Sequence, residues 1–204
     1  MYANSKMDFQ ETDGIIVRSY PSGDNNLVIR VISANHGKIC FFASHARRSH
    51  KRFGGLDLFD HGTFYYLDSD RGLAKLKEYK SKSAFPNLRT SYDRIVCAEV
   101  LAESLDLFTP ENDPNATDNY LILHQGLSEL ETAADLKAQL KVLYQTLFHL
   151  LQSSGVLPQR NLELASAKNL LVLLSSIEQH GGKALATKIE LMKLLRELKK
   201  GRGI

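Results

Sequence analysis

The chain contains little cysteine and no long apolar run. Its two cysteines, Cys40 and Cys97, each lie inside an apolar stretch, which argues against a disulfide scaffold and a structural zinc site. No apolar run approaches the roughly 20 residues of a membrane-spanning helix, and the first residues lack the hydrophobic segment of a signal peptide. These absences predict a cytoplasmic protein that contacts no membrane.

The sequence patterns of common enzyme classes are also missing. No phosphate-binding loop, dinucleotide-binding glycine pattern or Ser-His-Asp arrangement occurs. One hydrolase hypothesis stays open, because clustered carboxylates beside a histidine can hold Mg²⁺ for phosphodiester chemistry. Its residues are Asp57, Asp60, His61, Asp68 and Asp70. Because DSDRG is more simply a hairpin turn, we expect no enzymatic activity, no cofactor and no metal site.

Positive charge in this chain is concentrated rather than abundant. The net charge is only +3, yet residues 38–52 hold five cations and no acid. Residues 95–136 hold nine acids and no Lys or Arg, whereas residues 183–202 hold seven cations and two acids. A basic run without acids favours anion binding over a merely solvated face. His45 and His50 lie among these cations, which would compete with a metal ion.

The hydrophobic period changes near residue 83, which predicts a domain boundary there. Before it, short β-branched and aromatic runs alternate with turn residues. These five runs are GIIVRSY, NLVIRVIS, KICFFAS, TFYYLD and LAKLKEY. Five antiparallel strands with one long loop after the third predict an OB-type barrel over residues 1–82. A small sandwich is the alternative.

The last predicted strand alternates, which places one set of side chains on a cationic, solvated face. That set is Leu73, Lys75, Lys77 and Tyr79, and the opposite set is Ala74, Leu76 and Glu78. OB barrels stack nucleic-acid bases on aromatic rings. The rings available for stacking are Tyr20, Phe42, Phe53, Tyr65 and Tyr79. For any one strand aromatic, core packing is the plainer interpretation.

After residue 83 the leucines recur three or four residues apart, which predicts an all-α domain over residues 83–204. Five amphipathic segments predict a five-helix bundle, so the fold class is α+β. Asp113 and Pro114 predict the N-cap and first turn of the second of these helices. We expect the acidic stretch 95–136 to form a solvated face.

Several local patterns occur in an order that resembles the RecO family of bacterial recombination mediators. They are DGIIVRSYPSGDNNLVIRVIS, HGK, HARRSHKRFGG leading into LDLFD, and FHLLQSSGVLP. The resemblance covers nearly the whole chain and implies an amino-terminal OB barrel followed by a helical domain. Many members carry four zinc-binding cysteines after the last pattern. The stretch QRNLELASAKNLL has none, so the resemblance implies a form without zinc.

The resemblance also implies a function in DNA repair and recombination, within the RecF pathway. Such proteins bind single- and double-stranded DNA, anneal complementary strands and assist recombinase loading, together with RecR and the tail of the single-strand binding protein. Annealing forms no covalent bond and needs cations that neutralise phosphates. The candidate DNA-binding residues are Arg30, Lys38, Arg47, Arg48, Lys51, Arg52, Lys75 and Lys77. The implied location is the cytoplasm, at the nucleoid.

Two alternatives remain open. One is a general OB-fold protein that binds single strands without accelerating their pairing. The other is an adaptor whose last helix lines a groove for an acidic peptide tail. The basic margins of that groove would be Lys188, Lys193, Arg196 and Lys199. In the plainer interpretation, the leucines between them pack the bundle and the cations keep it solvated.

Overall fold

A computed structural model describes residues 9–69, 72–83, 85–157 and 166–200. The side chains of His50, Lys51, Ser83 and Lys200 lie outside that description. The chain divides into two compact units. The first combines the strands with Pro110–Tyr120, and the second contains the remaining helical residues from Phe85 onward.

Five strands form a closed barrel in the order β1-β2-β3-β5-β4, with β4 pairing back to β1. Their bounds are β1 Phe9–Ser22, β2 Asn26–Ser33, β3 Gly37–Ala43, β4 His61–Leu67 and β5 Ala74–Ser83. Every pairing is antiparallel except the short β3–β5 contact. The predicted OB-type barrel is therefore confirmed, and the sandwich alternative is wrong.

Alternate residues of each strand point inward and fill the barrel, as the two-residue period of a strand requires. Ile29, Val31, Phe41 and Phe64 belong to one buried cluster. The Phe41 and Phe64 rings stack with their centroids 5.5 Å apart. Because β-branched and aromatic side chains pack well on a pleated surface, these runs form strands.

Strand β5 departs from the predicted alternation. Its pairing with β4 skips Lys77, so that Leu76 and Glu78 pair with consecutive residues of the partner strand. The extra residue is a β-bulge, which reverses the alternation beyond it. Tyr79 is consequently buried in the core and donates its hydroxyl to the His61 carbonyl at 3.1 Å. Its predicted place on the cationic face, and its availability for base stacking, are wrong.

A segment after the first long helix completes the barrel unit. The Lys38 N–H donates to the Pro110 carbonyl at 3.0 Å, and the Asn112 N–H donates to the His36 carbonyl at 2.9 Å. Gly37 has φ 70, and a Cβ there would lie 2.6 Å from the Pro110 carbonyl oxygen. Only glycine therefore fits at this approach. The change of period at residue 83 does not predict this return of the chain to the barrel.

The five predicted helical segments form α2 to α6. Helix α1 (His50–Phe53) is one short turn in the loop after β3, and a 3₁₀ turn spans Pro86–Arg89. The long helices are α2 Tyr92–Phe108, α3 Ala116–Thr132, α4 Leu136–Ser153, α5 Ala167–Gly181 and α6 Lys188–Lys200. Among the described helices, none combines the length and apolar character needed to cross a bilayer.

The start of α3 differs from the prediction by a few residues. The helix begins at Ala116 rather than at Pro114, because the intervening residues form a turn. The Asp113 carboxylate accepts the Asn115 N–H at 2.8 Å and the Asn119 side-chain amide at 2.7 Å. Asp113 thus stabilises the turn that leads into the helix.

Several acids of the stretch 95–136 have structural roles. The buried Glu103 accepts both the N–H and the hydroxyl of Thr187 at 2.8 Å, just before α6. Asp135 caps α4 by accepting the Ala138 N–H at 2.7 Å. Side-chain caps of this kind satisfy helix N–H groups that have no intrahelical partner. The expectation of a merely solvated acidic face is wrong for these residues.

Candidate nucleic-acid interface

The loop between β3 and β4 carries the concentrated positive charge on apolar anchors. Ala46, Phe53 and Leu56 pack into the barrel core, and Phe53 is 0% exposed. Short helix α1 thereby lies against the barrel rather than extending into solvent. Phe53 cannot stack on bases, so its predicted availability for base stacking is wrong. Although Phe53 lies in a basic loop, its ring fills part of the barrel core.

The arginines of this loop are exposed while their backbone is fixed. The Arg47 N–H donates to the Asn25 carbonyl and its guanidinium to the Asp24 carbonyl, both at 3.1 Å. Arg48 and Arg52 are exposed as well. We call Arg47, Arg48, Lys51 and Arg52 the loop cations; the Lys51 side chain lies outside the description. Because carbonyls accept hydrogen bonds without neutralising charge, Arg47 keeps its attraction for anions.

A pair of arginines lies on the neighbouring strands. Arg30 of β2 is half-buried and pairs in register with Arg18 of β1. Like charges placed directly opposite each other on neighbouring strands are destabilising. Arg30 is one of the predicted DNA-binding residues, whereas Arg18 is not, because only the hairpin register brings it beside Arg30. Lys38 is half-buried further along the same sheet, on β3.

Strands β3 and β5 border an open groove of about 740 Å³. Lys75 and Lys77 contribute cationic side chains to it, and the half-buried Phe42 contributes an aromatic wall. The lining consists of Phe42, Ser44, Leu67, Asp68, Ser69, Leu73, Lys75 and Lys77. Apolar walls combined with a few charged groups are typical of a binding groove.

The remaining predicted stacking residues have different surroundings. Tyr20 is 41% exposed near the end of β1. Tyr65 is half-buried on β4, where the Lys80 ammonium lies 4.7 Å above its ring. A cation over the ring face occupies the surface that a base would use. Tyr20 and Phe42 are therefore the better placed of the five predicted rings.

The other side of the barrel balances its own charges. The Asp13 carboxylate accepts the Lys82 ammonium at 2.6 Å and the Thr63 hydroxyl at 2.7 Å. Burial acts to raise the pKa of Asp13, but the hydrogen bonds from Lys82 and Thr63 outweigh burial and lower it. The Asp13–Lys82 pair therefore contributes no net charge to this part of the barrel.

Residues 7–85 match the family model described as "Recombination protein O N terminal", which spans the five strands and the basic loop. Over these residues, the chain is similar to the amino-terminal domain of the RecO family. The predicted resemblance to that family is therefore confirmed for the barrel.

Curated relatives extend the similarity beyond the barrel. The chain is 27% identical over 150 residues to DNA repair protein RecO of Desulfatibacillum aliphaticivorans, covering 72% of this chain and 57% of the relative. The RecO of Koribacter versatilis is 29% identical over 108 residues, with coverages of 52% and 44%. That of Pelotomaculum thermopropionicum is 30% identical over 119 residues, with coverages of 57% and 46%. The chain spans about half the length of the curated relatives it matches.

The described carboxylates among the hydrolase candidates accept hydrogen bonds from nearby backbone N–H groups. Asp57 accepts the Leu58 N–H at 2.8 Å, and Asp60 accepts the Asp57 N–H at 2.9 Å. Asp68 accepts the N–H of the next residue, and His61 Nε2 lies 2.8 Å from the Tyr120 hydroxyl. Asp70 lies outside the described residues. Within the described ranges, no group of three His, Cys, Asp or Glu side chains is placed to hold a metal.

The predicted peptide groove depends on α6, in the helical unit. Lys188 lies 2.6 Å from Glu178, and Lys193 lies 2.7 Å from Glu190. The leucines between the basic residues pack inward, as the plainer interpretation predicts: Leu191, Leu194 and Leu195 are buried. The other two residues predicted to border the peptide groove are Arg196 and Lys199, and both are exposed.

Proposed function

We propose that this chain binds DNA strands and promotes the pairing of complementary strands during DNA repair. The observation that carries the proposal is the basic loop, whose exposed arginines are fixed to the barrel by the buried Phe53. The chain's match to curated proteins named DNA repair protein RecO supports the same function.

The physical requirement for annealing is the neutralisation of two phosphate backbones so that bases can meet. The loop cations supply positive charge, and Arg18, Arg30, Lys38, Lys75 and Lys77 extend it over the adjoining strands. If about five cations contact phosphates, log K for single strands should fall with log salt at a slope of roughly −3.5. The same contacts serve double-stranded DNA, because phosphate binding is blind to sequence.

The proposal includes the finer functions that the family implies. The chain would act in the RecF pathway, help load the recombinase onto single strands, and associate with the nucleoid. RecR and the tail of the single-strand binding protein would be its protein partners. The resemblance to the RecO family supports these roles. No step requires a nucleophile or metal, so we propose that the chain is not an enzyme.

The test measures annealing of two complementary fluorescent oligonucleotides at low and moderate salt. We compare wild type with Arg47→Ala/Arg48→Ala/Arg52→Ala. The matched control removes three exposed cations of the helical unit, Lys183→Ala/Arg196→Ala/Lys199→Ala. We expect annealing to be lost in the loop variant, kept in the control and suppressed by salt.

Three results would contradict parts of this proposal. Binding of strands without faster pairing would favour a general single-strand-binding protein. Equal loss of annealing in both variants would show that net charge, rather than the basic loop, carries the activity. Cleavage of labelled DNA in the presence of Mg²⁺ would show that the chain is an enzyme.

A further inference from the structure

The outer face of the barrel carries a mainly apolar row that crosses the strands. Register pairs join each member to the next. We call this the outer row; in order it consists of Tyr20, Val28, Phe42, Lys75, Leu67 and Phe9. The strand neighbours Ile29, Phe41, Ala74 and Tyr66 belong to the buried cluster. Because successive side chains alternate, the row itself points outward.

Several members of the row and its surroundings are exposed although they are apolar. Phe9 is 69% exposed and Tyr20 is 41% exposed, while Phe42 is half-buried; Val28 and Leu67, which lie between them, are buried beneath their neighbours. The exposed Leu73 lines the same groove as Phe42. A solvated strand face normally carries polar side chains, so the exposed rings and Leu73 on this face indicate a binding surface.

Cations border the outer row on both sides. On one side lies the register pair Arg18–Arg30, two residues along the strands from the pair Tyr20–Val28. On the other side lies Lys77, and the basic loop begins directly after β3, two residues beyond Phe42. The Arg47 contacts with the β1–β2 turn hold this loop at the same end of the sheet.

This arrangement identifies the occupant by its chemistry. Single-stranded nucleic acid presents flat apolar bases beside a chain of phosphates, which matches rings flanked by cations. Duplex DNA keeps its bases paired inside the helix, so its bases cannot stack on the rings. Its phosphates can still contact the cations. Tyr20 and Phe42 are two strands apart, about 10 Å, so the two rings would hold separate bases.

We propose that the outer row is a base-stacking track for single-stranded DNA, separate from the phosphate contacts of the basic loop. This inference rests on the proposed function and deepens it. It assigns the discrimination between single strands and duplexes to Tyr20 and Phe42, and the shared affinity for both to the loop cations.

The absence of tryptophan from the chain permits a direct test. Tyr20→Trp introduces a single indole into the outer row. We expect oligothymidylate to quench its fluorescence and an abasic oligomer of equal length to leave it unchanged, because only bases stack on the ring. Tyr92→Trp is the control, since Tyr92 is 55% exposed on α2 in the helical unit.

Affinity measurements provide the second readout. We expect Tyr20→Ala and Phe42→Leu each to weaken binding of oligothymidylate about fivefold or more. Binding of the abasic oligomer and of a duplex should not change. Phe42→Leu removes the ring but keeps most of the apolar volume, and Tyr20 is exposed enough for substitution without loss of the fold. The loop variant Arg47→Ala/Arg48→Ala/Arg52→Ala should weaken binding of all three probes.

The outcomes separate failure of this inference from failure of the proposed function. If wild type binds oligothymidylate and the abasic oligomer equally, phosphates alone carry the affinity and the track does not exist, although DNA binding stands. If no DNA binds, both proposals fail. If Tyr20→Ala instead dissociates a dimer in sedimentation and leaves DNA affinity intact, the row is an interface between copies, which also overturns the inference.

Discussion

The basic loop and helix α6 are both rich in Lys and Arg, but they differ in what surrounds the charge. The loop arginines are exposed above buried apolar anchors, and Arg47 donates to a backbone carbonyl. Lys188 and Lys193 of α6 instead lie within 2.7 Å of the carboxylates of Glu178 and Glu190. A neutral acceptor leaves the field of a cation available to a ligand, whereas a carboxylate cancels it.

The largest expected effect comes from removing the loop anchor. Phe53→Ala should lower the free energy of unfolding by about 3–5 kcal/mol, because it opens a cavity in the barrel core. It should also weaken DNA binding at temperatures where the chain stays folded, because the loop cations lose their fixed position. Urea denaturation and fluorescence anisotropy measure the two effects.

Phe53→Leu is the control for this anchor, since it keeps an apolar plug and should cost less stability. Leu191→Ala in α6 provides the comparison in the helical unit, where a similar loss of stability should leave DNA affinity unchanged. A loss of DNA affinity as large as that of Phe53→Ala would contradict the special role of the loop.

The next effect separates the two basic regions by salt dependence. Removing Arg47, Arg48 and Arg52 should flatten the slope of log K against log salt by about 2, since each phosphate contact contributes about 0.7 for single strands. Removing Lys183, Arg196 and Lys199 should leave the slope unchanged. Titrations of a fluorescent oligonucleotide at several salt concentrations check both values. A change of slope in the helical variant would extend the DNA interface to that unit.

A smaller effect tests the ion pair of α6. Burial acts to raise the pKa of Glu178, but hydrogen bonds from Lys188 and the Leu185 N–H outweigh burial and lower it below 4.5. Lys188→Met should therefore reduce the free energy of unfolding by about 1.5 kcal/mol near neutral pH. Because the folded-state pKa is depressed, this contribution is present above pH 4.5 and is lost as the pH falls through the folded-state value.

Denaturant unfolding of wild type and Lys188→Met at several pH values measures that difference. Lys183→Met, which changes an exposed lysine nearby, is the control and should have little effect. If the difference in unfolding free energy between wild type and Lys188→Met grows as the pH falls, the lowered pKa assigned to Glu178 is contradicted.

The smallest effect concerns the exposed pair at Glu190. A hydrogen bond from the Tyr92 hydroxyl to Glu190, at 2.5 Å, raises the pKa of Tyr92 above its ordinary value of 10.0. Glu190→Gln should return that pKa toward 10.0 with little change in stability, as is usual for exposed pairs. Spectrophotometric titration of the tyrosines compares the variant with wild type. An unchanged titration would show that the contact does not persist in solution.

The strands were predictable because the two-residue period and the turn residues agree along the first part of the chain. The bulge at Lys77 was not, because it follows from how β5 pairs with β4, which is not a local property of either strand. For the same reason the alternation placed Tyr79 outside, while the structure buries it. Tertiary pairing decided between two faces that the local pattern could not distinguish.

The positive charge of the candidate site was predictable from the sequence, but the buried residue that fixes the loop to the barrel was not. The acid-free run identified the loop cations, whereas Phe53 looked like one more exposed ring in a polar loop. Arg18 was missed because it faces Arg30 only in the register of the β1–β2 hairpin. The turn after β1 was visible in the sequence, so aligning the two strands across it could have found the pair.

The return of Pro110–Tyr120 to the barrel matters during synthesis of the chain. At about 5–20 residues per second, the ribosome adds the last residue of this segment roughly 2–7 seconds after the end of β5. Until then the N–H of Lys38 and the carbonyl of His36 lack the partners they have in the finished fold. The nascent barrel passes through a period with part of β3 uncovered, in which a chaperone or a neighbouring chain could pair with it.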